Sequence, residues 1–204
     1  MESILDLYNR EYNKKIPTVC FDEKPLQLLK DARPTVKVDK SGKIQKRDYE
    51  YIRKGTANIF CTVEPLAGKH ITKVFERKTK KDFACNLKII SDEYPDANKI
   101  NIVMDNYNTH KEKSVIEYFG ENEGKKLWKR FKVFYTPKHA SWLNQAEIEI
   151  GICSRQCIGK KRFADIKLLT DQVNAWNKSV NEKEIKINWG FSTKEARRKF
   201  KYTR

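Results

Sequence analysis

The sequence predicts an α/β fold in which a mixed five-stranded sheet is flanked by helices. Three β-rich runs come first, two of them as a hairpin, and two later strands alternate with segments of helical periodicity. Antiparallel strands followed by alternating strands and helices are typical of a mixed sheet with helices on its faces. The length of 204 residues suits one domain.

The first half of the chain contains three of the five predicted strands. Its predicted elements are, in chain order, an N-terminal lead-in or short amphipathic helix (1–16), a strand that finishes on a carboxylate (18–22, TVCFD), a polar and basic excursion (30–54), and a hairpin of two strands (56–63, TANIFCTV; 70–75, HITKVF). Pro65 and Gly68 mark the hairpin turn, because both residue types favour turns.

The second half alternates helices and strands. Its predicted elements are a helix capped by Thr79 (79–94), a buried strand that ends on a second aspartate (100–105, INIVMD), a helix (111–119), a strand (131–135, FKVFY), two helices (144–158 and 168–180), and a basic C-terminal helix capped by Ser192. The apolar face predicted for 168–180 consists of Leu168, Leu169, Val173 and Trp176.

Charge points to a polyanionic partner. Lys and Arg number 43 against 27 Asp and Glu, which gives a formal net charge of +16, and a surplus of this size attracts polyanions. Nucleic acid is the leading candidate partner. Charge alone leaves open a ribosome-associated protein or a lysine-rich composition without a binding role.

Membrane and disulfide-rich proteins are disfavoured. No apolar run reaches the roughly 18 residues that a membrane span needs, and no secretory signal opens the chain. The five cysteines are odd in number and form no CxxC pair. We interpret them as small buried residues in a reducing compartment.

Two aspartates are the first candidates for chemistry. Asp22 and Asp105 each end an apolar strand, and strand ends form the rim where α/β folds build their sites. Carboxylates brought together repel unless a cation lies between them, and Asp and Glu oxygens suit Mg²⁺ or Mn²⁺. Taken alone, either aspartate could also be a turn or cap residue.

Several long stretches of the sequence resemble the IS630 branch of the IS630/Tc1/mariner transposases. They are FDEKPLQLL, DYEYIRKGTANIFCTVEPLAG, VMDNYNTH and YTPKHASWLNQAEIEIGICSRQC, within a match from about Pro17 to Lys199. The resemblance implies an RNase H-like DDE catalytic domain over residues 17–204, with Mg²⁺ or Mn²⁺, as two ions, for cofactor. It implies a prokaryotic, cytoplasmic and nucleoid-associated protein whose partner is double-stranded DNA, both transposon terminal inverted repeats and target.

Carried over by motif, the resemblance assigns three catalytic, metal-binding carboxylates. They are Asp22 in FDEKP, Asp105 in MDNYNTH and Glu147 in WLNQAE. Glu149 is the rival for the third position. Two residues apart on a helix point roughly 200° apart, so only one of the two can face the same metal. The segment is apolar nearly all round, so the preference for Glu147 rests on the resemblance.

Neighbours of the three carboxylates are candidates for supporting roles, either orienting a ligand or contacting a phosphate. These candidates are Glu23, Asn106, His110, Lys138 and His139. The alternatives are a salt bridge for Glu23 and a structural role for His110. Trp142 is expected in the core rather than as a platform for a base.

Basic residues form two candidate DNA-binding segments, one within 37–54 and one on the C-terminal helix. The predicted DNA contacts are Lys43, Lys46, Arg47, Arg53, Lys54, Arg155, Arg197 and Arg198. Such contacts follow the phosphate backbone and set affinity without reading sequence. The alternative is a solvated charged face.

The resemblance also implies a reaction. A water would cleave DNA at the transposon end, and the freed 3′-hydroxyl would attack target DNA without a covalent protein–DNA intermediate. The family usually has an N-terminal helix-turn-helix region, which we expect to be absent here or on a separate protein, and we expect a homodimer on DNA. The rivals are a catalytically silent DNA-binding remnant and an RNase H-like nuclease without strand transfer.

Overall fold

A computed structural model describes residues 1–33 and 49–201 and shows a mixed sheet of five strands. The strands are β1 (Thr18–Asp31), β2 (Tyr51–Glu64), β3 (Lys69–Phe75), β4 (Ile100–Met104) and β5 (Phe131–Tyr135). Their order in the sheet is β3-β2-β1-β4-β5. The pairs β1–β2 and β2–β3 are antiparallel, whereas β1–β4 and β4–β5 are parallel. The predicted fold class is therefore confirmed.

Helices cover both faces of this sheet. They are α1 (Glu2–Tyr8), α2 (Lys80–Asp92), α3 (Glu112–Phe119), α4 (Glu121–Lys129), α5 (Ala146–Cys153), α6 (Ile166–Asn181) and α7 (Thr193–Phe200). A 3-10 turn at Ser141–Leu143 precedes α5, and a π-helical turn at Ser154–Ile158 continues it. Among the described residues, no helix is both long and apolar enough to cross a bilayer.

The hairpin of β1 and β2 is longer than predicted. The strand expected to end at Asp22 runs on to Asp31, and β2 begins at Tyr51, so part of the predicted excursion is strand. The ladder contains a bulge, because Gln27 pairs with Thr56 and Leu29 with Arg53, so that two β2 residues face one β1 residue. Gly55 takes the positive φ of +95° at this bulge.

One face of the sheet packs against α2, α3 and α4. Phe21, Phe60 and Met104 from the strands meet Phe83 and Leu87 from α2 in this core. Thr79 begins α2 with a reciprocal capping box with Asp82, as its predicted cap role requires. The helix α4 was not predicted.

The opposite face packs against α5 and α6 over β2 and β3, and against α1 and α7 over β1 and β4. Leu5 of the predicted lead-in is fully buried there, so α1 is part of the domain core. Leu168, expected on the apolar face of α6, is 51% exposed, whereas Leu169 and Val173 are buried. Four of the five cysteines are buried and all are unpaired, in line with the prediction.

Candidate active site

Asp22 and Asp105 lie side by side where β1 and β4 separate. The parallel ladder pairs Cys20 with Val103, its last pair. Two further residues along each strand lead to Asp22 and Asp105, on neighbouring strands about 4.8 Å apart. Asp105 directly follows β4, as predicted, whereas Asp22 lies inside β1 and pairs with Cys61 on its other side.

Asp22 faces the side of the sheet that α5 covers. Cys20 and Val103 belong to the core on that side, together with Ala146 at the start of α5. Side chains two residues apart on a strand share a face, so Asp22 points to the same side as Cys20. Asp105 lies just past the end of β4, and its Oδ1 is 2.6 Å from Nδ1 of His110. Glu147 stands exposed in the first turn of α5. The three predicted carboxylates therefore approach one another from β1, β4 and α5.

Asn144 fixes the start of α5 against the first aspartate. Its buried side-chain amide donates to the carbonyl oxygen of Phe21 at 2.8 Å and to Oδ2 of Asp22 at 3.3 Å. Its Oδ1 accepts from the backbone N–H of Ala146 at 3.2 Å. Asn144 is not among the residues predicted from the sequence, although it lies in the same WLNQAE motif as Glu147, and that shared motif was the signal available.

The pKa of Asp22 responds to the neighbouring carboxylates. The pKa of Asp22 is raised to about 6, chiefly by burial and also by the negative charges of Glu147, Asp105 and Glu23. The backbone N–H of Glu23, which donates to Oδ1 at 2.7 Å, opposes this rise. Carboxylates that raise one another's pKa lie within electrostatic range. Such a group of acids is a site where a cation would relieve repulsion.

His110 bridges two acids at this edge of the sheet. Its Nδ1 lies 2.6 Å from Oδ1 of Asp105 and its Nε2 lies 2.9 Å from Oε1 of Glu23, while Phe21 and Phe83 enclose the ring. Burial lowers the pKa of His110, but the hydrogen bonds and charges of Asp105 and Glu23 outweigh burial and raise it to about 9. The imidazole is therefore protonated at neutral pH and donates to both acids.

The charged imidazole acts in turn on the second aspartate. Burial opposes ionisation of Asp105, yet the hydrogen bond and charge of His110 prevail, so the pKa of Asp105 is lowered. Asp105 is thus ionised, whereas Asp22 titrates near neutrality. The two neighbouring aspartates differ because only one of them has a cationic partner.

Glu149 is directed away from the aspartates. It is fully buried, and its Oε1 lies 2.9 Å from Nδ1 of His70 on β3, without the alignment of a good hydrogen bond. The charge that reaches Asp22 from α5 is that of Glu147. Of the two acids, Glu147 is therefore the one whose charge reaches Asp22, a distinction that helical periodicity could not make.

The remaining supporting candidates are exposed. Asn106 accepts a hydrogen bond from the ammonium group of Lys111. Lys138 and His139 lie on the exposed loop before the 3-10 turn, and His139 has a φ of +61°. Trp142 is 41% exposed, so the expectation of a core residue was wrong.

The predicted DNA contacts divide into three groups. Arg53 and Lys54 on β2, Arg155 after α5 and Arg198 on α7 are exposed. Arg197 forms an ion pair with Glu2 of α1 at 2.7 Å, so its charge is already paired within the protein. Three of the predicted contacts, Lys43, Lys46 and Arg47, lie outside the described residues.

The donor chemistry of the three carboxylates suits a hard divalent cation. Asp22, Asp105 and Glu147 offer only oxygen ligands, which Mg²⁺ and Mn²⁺ prefer. Within residues 1–33 and 49–201, no three His, Cys, Asp or Glu side chains are close enough to hold an ion as they stand. One reason is that Asp105 is drawn to His110 at 2.6 Å. A cation would nevertheless relieve the repulsion from Glu147 and Asp105, which adds to burial in raising the pKa of Asp22.

Comparison with known proteins adds a family and a set of similar structures. The family described as "DDE superfamily endonuclease" matches residues 17–170. The Mos1 mariner paired end complex with Mn is similar with a TM-score of 0.59 at 14% identity, over 90% of this chain and 55% of that one. The Mos1 strand transfer complex has a TM-score of 0.58 at 13% identity, over 90% of this chain and 54% of that one.

A third Mos1 structure, the paired end complex with Mg, is similar with a TM-score of 0.57 at 12% identity, over 90% of this chain and 54% of that one. At these identities the likeness shows the fold, and it confirms the predicted RNase H-like architecture. The chain spans a little over half the length of the Mos1 chains that it matches. No curated protein matches the sequence.

Proposed function

The chain belongs to the DDE superfamily endonucleases, and on that premise we propose that it is the catalytic domain of an IS630-type transposase. It would cut DNA at transposon ends and join the freed ends to target DNA. The observation that carries the proposal is geometric: Asp22 and Asp105 lie where β1 and β4 separate, and Glu147 stands in the first turn of the helix that Asn144 ties to Asp22.

In this proposal the three carboxylates hold two divalent ions, Mg²⁺ or Mn²⁺. Bound ions of this kind lower the pKa of a water and stabilise charge on the attacking and leaving oxygens of a phosphodiester. Asp105 is ionised and ready to bind a cation, because His110 lowers its pKa. Asp22 would release its proton as a cation binds, since its raised pKa comes from burial and from the neighbouring negative charges.

Two further residues support the ligands. Asn144 donates to Asp22 and begins α5, so it sets the position of Glu147 relative to the first aspartate. His110 holds Asp105 and Glu23 together and fixes the orientation of both carboxylates. Residues that orient metal ligands through hydrogen bonds commonly affect metal affinity.

Double-stranded DNA is the proposed substrate, and exposed cations support this. Arg53, Lys54, Arg155 and Arg198 are exposed, and the formal net charge is +16. Lys138, exposed on the loop before α5, is the proposed contact for the scissile phosphate, as a point charge. A homodimer on DNA and a separate helix-turn-helix protein that addresses the ends complete the proposal.

The test is an assay of cleavage and strand transfer. The protein is incubated with Mn²⁺, DNA carrying the inverted repeats that flank its gene, and a supercoiled target plasmid. Nicking at the repeat together with joined products supports a transposase. Nicking without joining would identify a nuclease, and DNA binding without either product would identify a silent remnant. Asp105→Ala is the matched control, which should bind DNA but not cut it.

A further inference from the structure

Three aromatic rings meet at the surface beside α5. Trp142 and Phe191 pack edge to face with ring centroids 5.6 Å apart, and Phe200 lies 6.0 Å from Trp142 and 6.4 Å from Phe191. Trp142 is 41% exposed and Phe200 is 47% exposed. We call these three residues the aromatic platform. Trp142 and Phe200 thus form an exposed apolar patch with the half-buried Phe191, and exposed apolar patches commonly mark interaction sites.

The aromatic platform is close to the carboxylates. Trp142 is two residues from Asn144, which spans at most about 7 Å of backbone. The side-chain amide of Asn144 lies 3.3 Å from Oδ2 of Asp22. Trp142 is therefore within about 15 Å of the first catalytic carboxylate. One strand of B-DNA advances about 3.4 Å per nucleotide, so this distance corresponds to about four nucleotides.

The surroundings of the aromatic platform are basic. Lys194, Arg198 and Lys199 of α7 are exposed, and Nζ of Lys199 lies 5.8 Å from the ring centroid of Phe191. Glu195, the acid among them, is engaged in the cap of α7, where it accepts from the backbone N–H and hydroxyl of Ser192. Cations beside exposed rings suit a ligand that is both anionic and aromatic.

We propose that the aromatic platform stacks an unpaired base of the DNA strand within about four nucleotides of the scissile phosphate. This inference rests on the proposed function and adds a subsite to it. Grooves for single-stranded nucleic acid combine aromatic rings that stack bases with cations that follow the backbone. A base-paired nucleotide has both faces covered by its neighbours, so the ligand must be frayed or extruded. Stacking of this kind tolerates any base.

The experiment compares two DNA probes without metal, so that no cleavage occurs. One is a blunt duplex, and the other is the same duplex with a single-stranded tail that carries 2-aminopurine. Wild-type protein should bind the tailed duplex about five- to tenfold more tightly and quench its fluorescence. Trp142→Ala should lose both effects but keep its affinity for the blunt duplex, and Trp142→Phe should recover most of the preference.

Tyr118→Ala is the matched control. Tyr118 on α3 is 42% exposed and has Nζ of Lys81 5.7 Å from its ring centroid, much like the aromatic platform. It packs with helices on the other face of the sheet, and its replacement should leave the preference for tailed DNA unchanged. Thermal melting of each variant establishes that it is folded.

Several outcomes would overturn the inference. Equal affinity of the wild type for both probes would do so, and so would a preference that survives in Trp142→Ala. If Trp142→Ala lowered the affinity for both probes equally, Trp142 would be a contact to the duplex. If the substitution changed the oligomeric mass, the aromatic platform would be a protein interface. Asp105→Ala should keep the preference for tailed DNA. A failure of cleavage in the wild type would therefore count against the transposase proposal and not against this subsite.

Discussion

Nδ1 of His110 lies 2.6 Å from Oδ1 of Asp105, and burial holds the ring where it is. Nε2 of His110 also lies 2.9 Å from Oε1 of Glu23. One imidazolium group is therefore paired with a carboxylate on β1 and with another that directly follows β4. The pKa of His110 is raised to about 9 by these partners. The charge of the second aspartate is therefore balanced by the protein itself.

Replacing His110 with Gln should slow cleavage by about 10–100-fold, the usual effect of removing a residue that orients a metal ligand. The amide can keep only part of the hydrogen bonding and none of the charge. The rate should recover in part at higher Mn²⁺, since the loss lies in holding the ligand. Rates measured across a Mn²⁺ series check this. An unchanged rate and metal requirement would assign His110 to the fold alone.

Glu147→Gln and Glu149→Gln form a matched pair. Glu147→Gln should lower cleavage by more than the ~10–100-fold expected for a supporting residue, with an unchanged melting temperature because Glu147 is exposed. Glu149→Gln should stay active within a few fold and change mainly stability, since it is buried beside His70. If Glu149→Gln alone were inactive, the third carboxylate would be Glu149.

The metal-free protein should be more stable with Asn in place of Asp22. The pKa of Asp22 is about 6 in the folded protein, above the ordinary value of 3.8. A carboxyl with a raised folded pKa contributes stability that is complete below its unfolded pKa and is lost as the pH rises through the folded pKa. We therefore expect Asp22→Asn to exceed the wild type at pH 7 by on the order of 1–2 kcal/mol, after allowance for partial exposure.

The measurement is the difference in unfolding free energy between wild type and Asp22→Asn from pH 4 to pH 8 without metal. The other acids titrate in both proteins, so their contribution cancels in this difference. The difference in unfolding free energy should grow between about pH 4 and pH 7. A flat difference would contradict the raised pKa. Cleavage should be lost in the same variant, since a proposed ligand is gone.

Asn144→Ala should lower both stability and activity. It leaves the carbonyl of Phe21 without its side-chain donor and frees the start of α5, at a cost of about 1–3 kcal/mol. Asn144→Asp is the sharper variant, because it adds a negative charge beside Asp22. We expect it to cleave more slowly than Asn144→Ala at equal folded fraction, measured by rate and by thermal melting. The opposite order would indicate that hydrogen bonding at α5 matters more than charge.

The sequence was informative about strands with apolar runs and less so about polar ones. β1 was expected to stop at Asp22, where the β-rich run finishes on a carboxylate. The polar continuation contains Pro25, a residue type that central strands exclude. Beyond Cys20, however, β1 has left β4 and pairs only with β2, so it tolerates the proline. The start of β2 is exposed from Tyr51 to Thr56, and after Ile52 this stretch is polar apart from Gly55, so the strand signal is weak.

The missed helix α4 has a similar explanation. Its segment is polar and contains Gly124, which lowers helix propensity. A Cβ at Gly124 would lie 2.6 Å from Cα of Ile116, so the glycine permits the close crossing of α3 and α4. That requirement arises only from tertiary packing, which single-sequence periodicity does not contain.

The site could be predicted in part. Asp22, Asp105 and Glu147 were assigned by motif and stay a prediction; the structure adds that Glu149 is buried beside His70. Asn144 was missed because its role depends on a partner 122 positions away in the chain. Contacts of that range follow from the docking of α5 on β1 and leave no local pattern.

The long antiparallel pair of β1 and β2 connects Asp22 to the far end of β1 at Asp31. From Asp22 to Asp31 the strand advances about 30 Å at roughly 3.3 Å per residue, along a ladder interrupted by one bulge beside Gly55. The hairpin is supported part of the way by Phe163, whose carbonyl accepts from the backbone of Leu29. A force applied near Asp31 would thus be transmitted to Asp22 through the hydrogen-bonded pair of β1 and β2. The bulge between Gln27 and Leu29 is the one interruption among the paired residues.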